Sequence, residues 1–251
     1  MPVGNDIITS DINSSNHMVM YHHDGFSETI LSSFTNIPSG LGIAHTDIAM
    51  DDEGNLIYGF NFFSTDVYGR RDGFSAVVKD SIVAPGGAPW GCEWSHGSGS
   101  DFFSNDRVNN NWYRHDDFST TILNTTASGR TEQRSIAFNI EPIFSRVHIA
   151  FDNGNGGVDQ WQLGTFTLLG TITNSVNLNQ WGESWDGTNR MAVIQYFSYQ
   201  IQRYDGFGLT VTITLNEPGP VPRGIAQFVQ TPGSAGTRRR RRTAAFRSKC
   251  N

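Results

Sequence analysis

The chain contains little cysteine, and it has no hydrophobic run long enough to cross a membrane. Its two cysteines, Cys92 and Cys250, form neither a disulfide framework nor the paired spacing of a zinc site. A transmembrane helix would need an apolar window of about 18 residues, and the sequence has none. The N-terminal segment lacks both a basic start and an apolar run, so we expect no secretory signal.

Local signatures of catalysis and of metal binding are also missing. No G-x-S-x-G segment occurs, which is the pattern of a nucleophile elbow. The seven histidines never have the H-x-x-x-H spacing that places two zinc ligands on one face of a helix. We therefore predict no catalytic residue, no metal site and no cofactor.

Acidic residues are absent from the end of the chain. The last fifteen residues, "TRRRRRTAAFRSKCN", contain seven of the 18 Lys and Arg residues and none of the 24 Asp and Glu residues. The preceding part has 11 basic against 24 acidic residues, a net charge of −13. An acidic body repels nucleic acid, whereas a basic tail attracts anions. We expect the body and the tail to have different partners.

A turn phrase recurs along the chain, as in "HHDGFS", "RRDGFS", "RHDDFS" and "RYDGFG", with a degenerate copy in "QLGTFT". Its aromatic residue stands at Phe26, Phe74, Phe118, Phe166 and Phe207. A period in the forties is typical of propeller blades. A phrase that recurs in this way indicates architecture, because a chemical site needs its nucleophile or base only once.

A second phrase recurs between copies of the first one. It reads "HTDIAMD", "PWGCEW", "QRSIAF", "QWGESW" and "PRGIAQF". Each unit also contains short alternating segments with Gly and Asn turns, which is the pattern of β-hairpins, and no segment shows helical periodicity. About 45 residues hold four short strands, so each unit predicts one blade of a β-propeller.

The two ends of the chain complement each other within this period. The N-terminal part supplies only the late half of a unit, and the C-terminal part supplies only an early half. We therefore predict an all-β protein with five blades, in which the chain ends pair within one composite blade. The predicted boundaries are an N-terminal extension over residues 1–16, the propeller over 17–233, and an Arg-rich tail over 234–251.

The phrases "IAMDDEGNLIYGFN" and "VYGRRDGFS" resemble the D-x-x-G-N-[IL]-Y unit of NHL-type propellers. The five units with a period in the forties are similar to those of tachylectin-like five-bladed lectins. The resemblance spans residues of about 17 to 233 and is clear only in the second unit. It implies a propeller that binds ligands at one end of its central channel.

The candidate ligand-binding residues precede the innermost strand of each blade. Trp90 and Trp181 occupy this position in two units, and we expect them either to stack on sugar rings or to fill the space between blades. The matching positions in the other units are polar, and we expect them to face solvent; they are Thr46, Arg134 and Arg223. Trp94 and Trp185, four residues further on, are expected to pack between blades.

A glycoside hydrolase is the enzymatic alternative. Five-bladed propellers of the arabinanase type use three carboxylates near the axis, and Asp47, Glu93 and Glu183 are the candidates here. Glu93 aligns with Ser184, whereas Glu183 aligns with Cys92. Because successive residues of a strand face opposite sides, we expect these two acids not to converge.

The combination of an acidic propeller, no secretory signal and a basic tail resembles an accessory protein of a virus particle, such as a tailed phage. The function expected is a non-catalytic virion decoration or host-surface glycan-binding protein, without membrane insertion, located in the virion. Its tail is expected to dock on other virion proteins, or on nucleic acid, through Arg238, Arg239, Arg240, Arg241, Arg242 and Arg247. The alternatives are a free lectin-like protein in the cytoplasm, released by lysis, a scaffold that binds only proteins, and the glycosidase.

Overall fold

The computed structural model describes residues 6–13, 17–36, 45–60, 66–95, 101–139, 145–151, 156–173, 180–186, 189–194 and 199–227. These residues form β-strands and turns, and within them no helix is long and apolar enough to cross a membrane. The strands are β1 (Ile7–Ile12), β2 (Met18–His23), β3 (Ile30–Asn36), β4 (His45–Met50), β5 (Leu56–Phe60), β6 (Val67–Arg71), β7 (Val78–Val83), β8 (Pro89–Trp94), β9 (Asp101–Asp106), β10 (Asn111–Asp116), β11 (Ile122–Ala127), β12 (Gln133–Asn139), β13 (Arg146–Phe151), β14 (Gly157–Gln162), β15 (Thr167–Thr173), β16 (Gln180–Trp185), β17 (Arg190–Ile194), β18 (Gln200–Tyr204), β19 (Val211–Asn216) and β20 (Pro222–Gln227).

The strands form five antiparallel sheets of four strands each, which are the blades of a propeller. The first to fourth blades are consecutive in the chain, from β4–β7 to β16–β19, and the composite blade has the order β20-β1-β2-β3. The innermost strands, β4, β8, β12, β16 and β20, contact one another in a closed ring. The predicted five-bladed, all-β propeller with pairing of the chain ends is confirmed.

The N-terminal boundary of the propeller requires a correction. Strand β1 pairs with β20 on one side and with β2 on the other, so Ile7–Ile12 is part of the composite blade and not of an extension. All six residues of β1 are buried. They include the polar residues Thr9, Ser10 and Asp11, which made the segment look like a surface loop in the sequence.

The repeated turn phrase joins the third and fourth strands of each blade. In the composite blade, His23 Nδ1 bonds the carbonyl oxygen of Ser27 at 2.8 Å, and the hydroxyl of Ser27 donates to the carbonyl of Asp24 at 2.6 Å. Gly25 has a φ of 61°, a conformation that a residue without a Cβ adopts at little cost. Equivalent side-chain bonds to the turn carbonyl come from Arg71 and His115. The phrase therefore encodes one turn and the side chain that anchors it.

The aromatic residue of each turn packs against the preceding blade. The contacts pair Phe74 with Phe34, Phe118 with Arg70, Phe166 with Trp112, Phe207 with His148, and Phe26 with the cluster around Met191 and Ile201. Each of these aromatic residues therefore links two neighbouring blades. Only Phe118 is fully buried, however, because the turns lie near the rim, where solvent reaches one side of each ring.

The innermost strands approach one another very closely at their third residue. A Cβ placed on Gly91 would lie 2.7 Å from the Ser135 backbone, and one on Gly182 would lie 2.6 Å from the Cα of Gly224. Real Cβ atoms do not come this close to backbone atoms, so these two positions require glycine. The close approach leaves a narrow axis, across which β4 also contacts β12 and β16.

Candidate functional site

The five candidate ligand-binding positions coincide with a bulge in each innermost strand. Thr46, Trp90, Arg134, Trp181 and Arg223 are each the second residue of their strand. In all five blades the pairing with the neighbouring strand shifts register at this residue. A bulge bends the strand and re-aims its side chains, and bulges are common next to functional sites. Here the second residues of four blades, Trp90, Arg134, Trp181 and Arg223, meet at one mouth of the channel.

At this mouth, arginine and tryptophan side chains stack in alternation. The guanidinium carbon of Arg107 lies 5.0 Å from the ring centroid of Trp90, and that of Arg134 lies 5.0 Å from Trp90 and 4.6 Å from Trp181. Arg223 follows at 4.1 Å from Trp181, and the two indole rings are 5.5 Å apart. We call these five residues the arginine–tryptophan ladder. Each such contact contributes about 0.5–2 kcal/mol, so the ladder is a stable part of the fold.

The ladder corrects the expected exposure of its members. Arg134 is only 7% exposed, so it does not face solvent as expected. Trp90 is also 7% exposed, which agrees with the packing role, one of the two that the sequence left open. Trp181 and Arg223 are half-buried and reach the surface of the mouth. Thr46 occupies the matching position of β4, but its side chain lies outside the described residues. Of the predicted residues, Trp181 and Arg223 are therefore the accessible ones.

Glu132 balances part of the positive charge of the ladder. Its carboxylate accepts hydrogen bonds from Arg134 at 2.9 Å and from Arg107 at 3.2 Å. Arg107 and Glu132 lie in loops between strands and are both about two-fifths exposed, at 40% and 42%. Neither residue belongs to a recurring phrase, so sequence reasoning missed them. The carboxylate of Glu132 thus contacts two of the three guanidinium groups of the ladder.

Arg223 differs from the other arginines of the propeller. Within the described part of the chain it neither donates a hydrogen bond nor forms an ion pair, whereas the other described arginines do at least one of these. Burial, with a smaller effect of the Arg134 charge, lowers its pKa to about 10. Asp11 is the acid whose charge acts on Arg223. The Asp11 carboxylate accepts a hydrogen bond from the Val221 amide at 3.0 Å, and burial raises the Asp11 pKa to about 6.

Three buried carboxylates lie deeper along the innermost strands. Asp47, Glu93 and Glu183 are the third, fifth and fourth residues of β4, β8 and β16, and none is more than 4% exposed. Burial raises the pKa of Glu93 to about 8 and that of Glu183 to about 7. Burial also raises the Asp47 pKa well above its usual range, and the charges of Glu93 and Glu183 add to this effect.

The expectation that Glu93 and Glu183 do not converge stays a prediction, and the two side chains have different partners. Glu93 accepts a long hydrogen bond of 3.5 Å from the Ser184 hydroxyl on β16, two blades away, so its side chain reaches across the axis. Glu183 lies 3.7 Å from Arg190, and neither of its oxygens has a hydrogen-bond partner among the described residues.

Two further predictions concern metal ligands and the tail. Among the described residues, no group of three His, Cys, Asp or Glu side chains has the geometry to hold a metal ion. The tail arginines, Arg238, Arg239, Arg240, Arg241, Arg242 and Arg247, lie outside the described residues.

The tryptophans Trp94 and Trp185 are both buried. The ring centroid of Trp185 lies 4.7 Å from that of His148 in the preceding blade, which confirms the expected packing role.

Comparison with known proteins shows the fold. No protein-family model matches the chain, and no curated protein matches it in sequence. A chain in the crystal structure of a nidogen/laminin complex is similar with a TM-score of 0.62 and 10% identity, covering 90% of this chain and 100% of that one. A protein of unknown function from Bacteroides caccae is similar with a TM-score of 0.54 and 8% identity, over 90% and 100% of the two chains. This protein is a β-propeller. At such low identity the likeness extends to the fold alone.

Proposed function

We propose that this propeller is a non-catalytic binding protein that recognises a surface glycan at the mouth formed by the arginine–tryptophan ladder. The observation that carries the proposal is the register shift in all five innermost strands, which directs residues of different blades to one mouth. The half-buried Trp181 offers part of an aromatic ring there, and such rings stack on the apolar faces of sugars. β-Propellers often mediate binding, and this geometry suits that role.

Binding without turnover is supported by the position of the carboxylates. Trp90 and Arg134 stand before Glu93 and Glu183 in the order of residues along the innermost strands, and they are buried in the ladder. A substrate entering at this mouth would therefore meet the ladder first. Since the acids are themselves shielded from solvent, they lack the access that glycoside cleavage requires.

The proposal includes anchoring of the propeller on a virus particle through its tail. Its support is the separation of charge along the chain, with seven basic residues after Gly236 and a net charge of −13 before Thr237. Arginine pairs bidentately with carboxylate or phosphate, which suits an acidic groove on a neighbouring virion protein. If one particle carries several copies, each copy needs to bind glycan only weakly, because the particle binds through all of them with high avidity.

The test compares Trp181→Ala with wild-type protein on a glycan array and on host cells. We expect glycan binding to fall at least tenfold in the variant, with the fold retained by circular dichroism. The matched control is Arg203→Gln, because Arg203 pairs with Asp186, which follows β16 at the opposite end of the channel. If wild-type protein binds no glycan, or if both variants bind as wild type does, the mouth is not a glycan site.

The glycoside hydrolase remains a second candidate because of one observation. Burial raises the pKa of Glu93 to about 8 and that of Glu183 to about 7, which lies in the range that a general acid needs near neutral pH. This candidate predicts that the protein releases reducing ends from a polysaccharide and that Glu93→Gln abolishes the release. Unchanged release in that variant, or none from wild type, excludes it.

A further inference from the structure

The ladder leaves one positive charge without a counter-charge in direct contact, and this suggests what the mouth binds. Arg107 and Arg134 share the carboxylate of Glu132, whereas Arg223 is in contact with none of the described acids. Elsewhere in the described propeller, arginines pair with acids or donate to oxygen atoms, as Arg190 does to Gln180. A half-buried guanidinium that touches only an aromatic ring is costly, because burial removes its water without replacing the hydrogen bonds.

We infer that Arg223, stacked on Trp181, binds the acidic group of a sugar, either a carboxylate or a sulfate ester. This inference rests on the proposed glycan-binding function and specifies its ligand. The planar guanidinium donates in a fork that matches two oxygens of such a group. Its stacking on Trp181, with 4.1 Å between the guanidinium carbon and the ring centroid, holds the fork in a fixed orientation before the ligand arrives.

The surroundings of Arg223 favour an anion at this place. Arg134, which also stacks on Trp181, adds a second positive charge beside it. Asp11, the acid whose charge acts on Arg223, accepts hydrogen bonds from the Val221 amide with its two carboxylate oxygens, at 3.1 and 3.0 Å. An anion arriving at Arg223 thus meets one accessible guanidinium group and the field of a second, buried one, while the body as a whole is acidic and repels it elsewhere.

The aromatic partner favours a sugar over an acidic peptide. Trp181 is half-buried beside the guanidinium group, so an apolar surface and a charged fork lie next to each other. A uronic acid carries a carboxylate on a ring whose carbon-bound hydrogens stack on indole, and a sulfated sugar has the same combination. A flexible peptide would use the charge alone and would lose more conformational entropy on binding.

The experiment measures binding of matched sugar pairs by isothermal titration calorimetry and on coated surfaces. The probes are galacturonate against galactose for the carboxylate, and dextran sulfate against dextran for the sulfate ester. A synthetic peptide of residues 237–251 is titrated with every acidic probe, so that binding by the basic tail is subtracted. We expect wild-type protein to bind at least one acidic probe at least tenfold more tightly than its neutral partner. Arg223→Gln should abolish this preference, and Arg223→Lys should keep part of it, because lysine retains the charge and loses the fork.

Arg203→Gln serves as the charge control, since it removes the same charge at the opposite end of the channel, and it should keep the full preference. Equal binding of acidic and neutral sugars that depends on Trp181 would overturn the inference while leaving the glycan proposal intact. Binding of neither kind of sugar would overturn both. Tighter binding of an aspartate-rich peptide than of the acidic sugars would reassign the mouth to acidic proteins. A preference retained in Arg223→Gln would show that this guanidinium group only packs.

Discussion

Replacing Glu93 by Gln tests the electrostatics of the axis. The carboxyl group is 4% exposed, and burial raises its pKa from 4.5 to about 8. Glutamine has nearly the same shape and keeps an oxygen to accept the Trp94 amide, which Glu93 Oε1 bonds at 2.9 Å. The substitution therefore removes the ionisation and leaves the packing almost unchanged.

The sign of the effect follows from the direction of the pKa shift. Since the folded pKa lies above the unfolded one, the folded protein holds the proton more tightly between pH 4.5 and 8. The stability that Glu93 contributes is fully present below pH 4.5 and is lost as the pH rises through about 8. At 1.36 kcal/mol for each pKa unit, the loss is at most about 5 kcal/mol. For a chain of this size, 1 kcal/mol changes the melting temperature by about 2–4 °C.

The assay is thermal unfolding of wild type and Glu93→Gln at pH 5, 7 and 9, followed by circular dichroism. We expect the melting temperature of the variant to rise relative to wild type as the pH increases, by an amount on the order of 10 °C across this range. The control is Glu53→Gln, because Glu53 is exposed and pairs with Lys79 at the surface. A difference between wild type and Glu93→Gln that stays constant with pH would refute the reasoning.

Further predictions concern other parts of the propeller. Glu183→Gln should change the melting temperature little at pH 5, where the glutamic acid and glutamine side chains are both uncharged, and should raise it relative to wild type above pH 7, because burial raises the Glu183 pKa to about 7 in spite of Arg190 at 3.7 Å. Gly182→Ala should destabilise the protein by about 1–3 kcal/mol or prevent folding, whereas Gly164→Ala, which meets no atom within 4 Å, should change the urea midpoint little. Removal of residues 237–251 should leave the melting temperature unchanged and abolish co-sedimentation with the virion, and loss of folding would show that the tail belongs to the propeller.

The number of blades could be predicted from the sequence because the turns and the innermost strands require particular residue types, and these recur with the period of the blades. The turn needs a positive φ at the position of Gly25, and three of the five copies have glycine there while Asp117 adopts a similar φ in a fourth. The hydroxyl of Ser27 recurs at Ser75 and Ser119 with the same hydrogen bond. The innermost strands need a small residue where they converge, as at Gly91 and Gly182. Such requirements are local, and a single sequence displays them as a repeated phrase.

Other features were not predictable, because they depend on neighbours that are distant in the sequence. Strand β1 is buried between β2 and β20, and its Asp11 bonds the amide of Val221 from the far end of the chain. A buried polar strand of this kind cannot be distinguished from a loop by hydrophobic alternation. The ladder likewise combines Trp90 and Trp181 from blades that are not adjacent, and alternation along one strand says nothing about contacts across the axis.

The composite blade has a consequence for how the chain reaches its native state. Strand β20 is the last strand of the described chain to be synthesised, and β1, the strand that it must pair with, is the first. A nascent chain therefore carries three N-terminal strands whose inner edge stays unpaired until residues 222–227 leave the ribosome. Pairing over this sequence separation is slow, since the loop entropy is lost before the contact forms. Ring closure is thus a late step of folding, and a chain that stops short of β20 exposes an edge that invites aggregation.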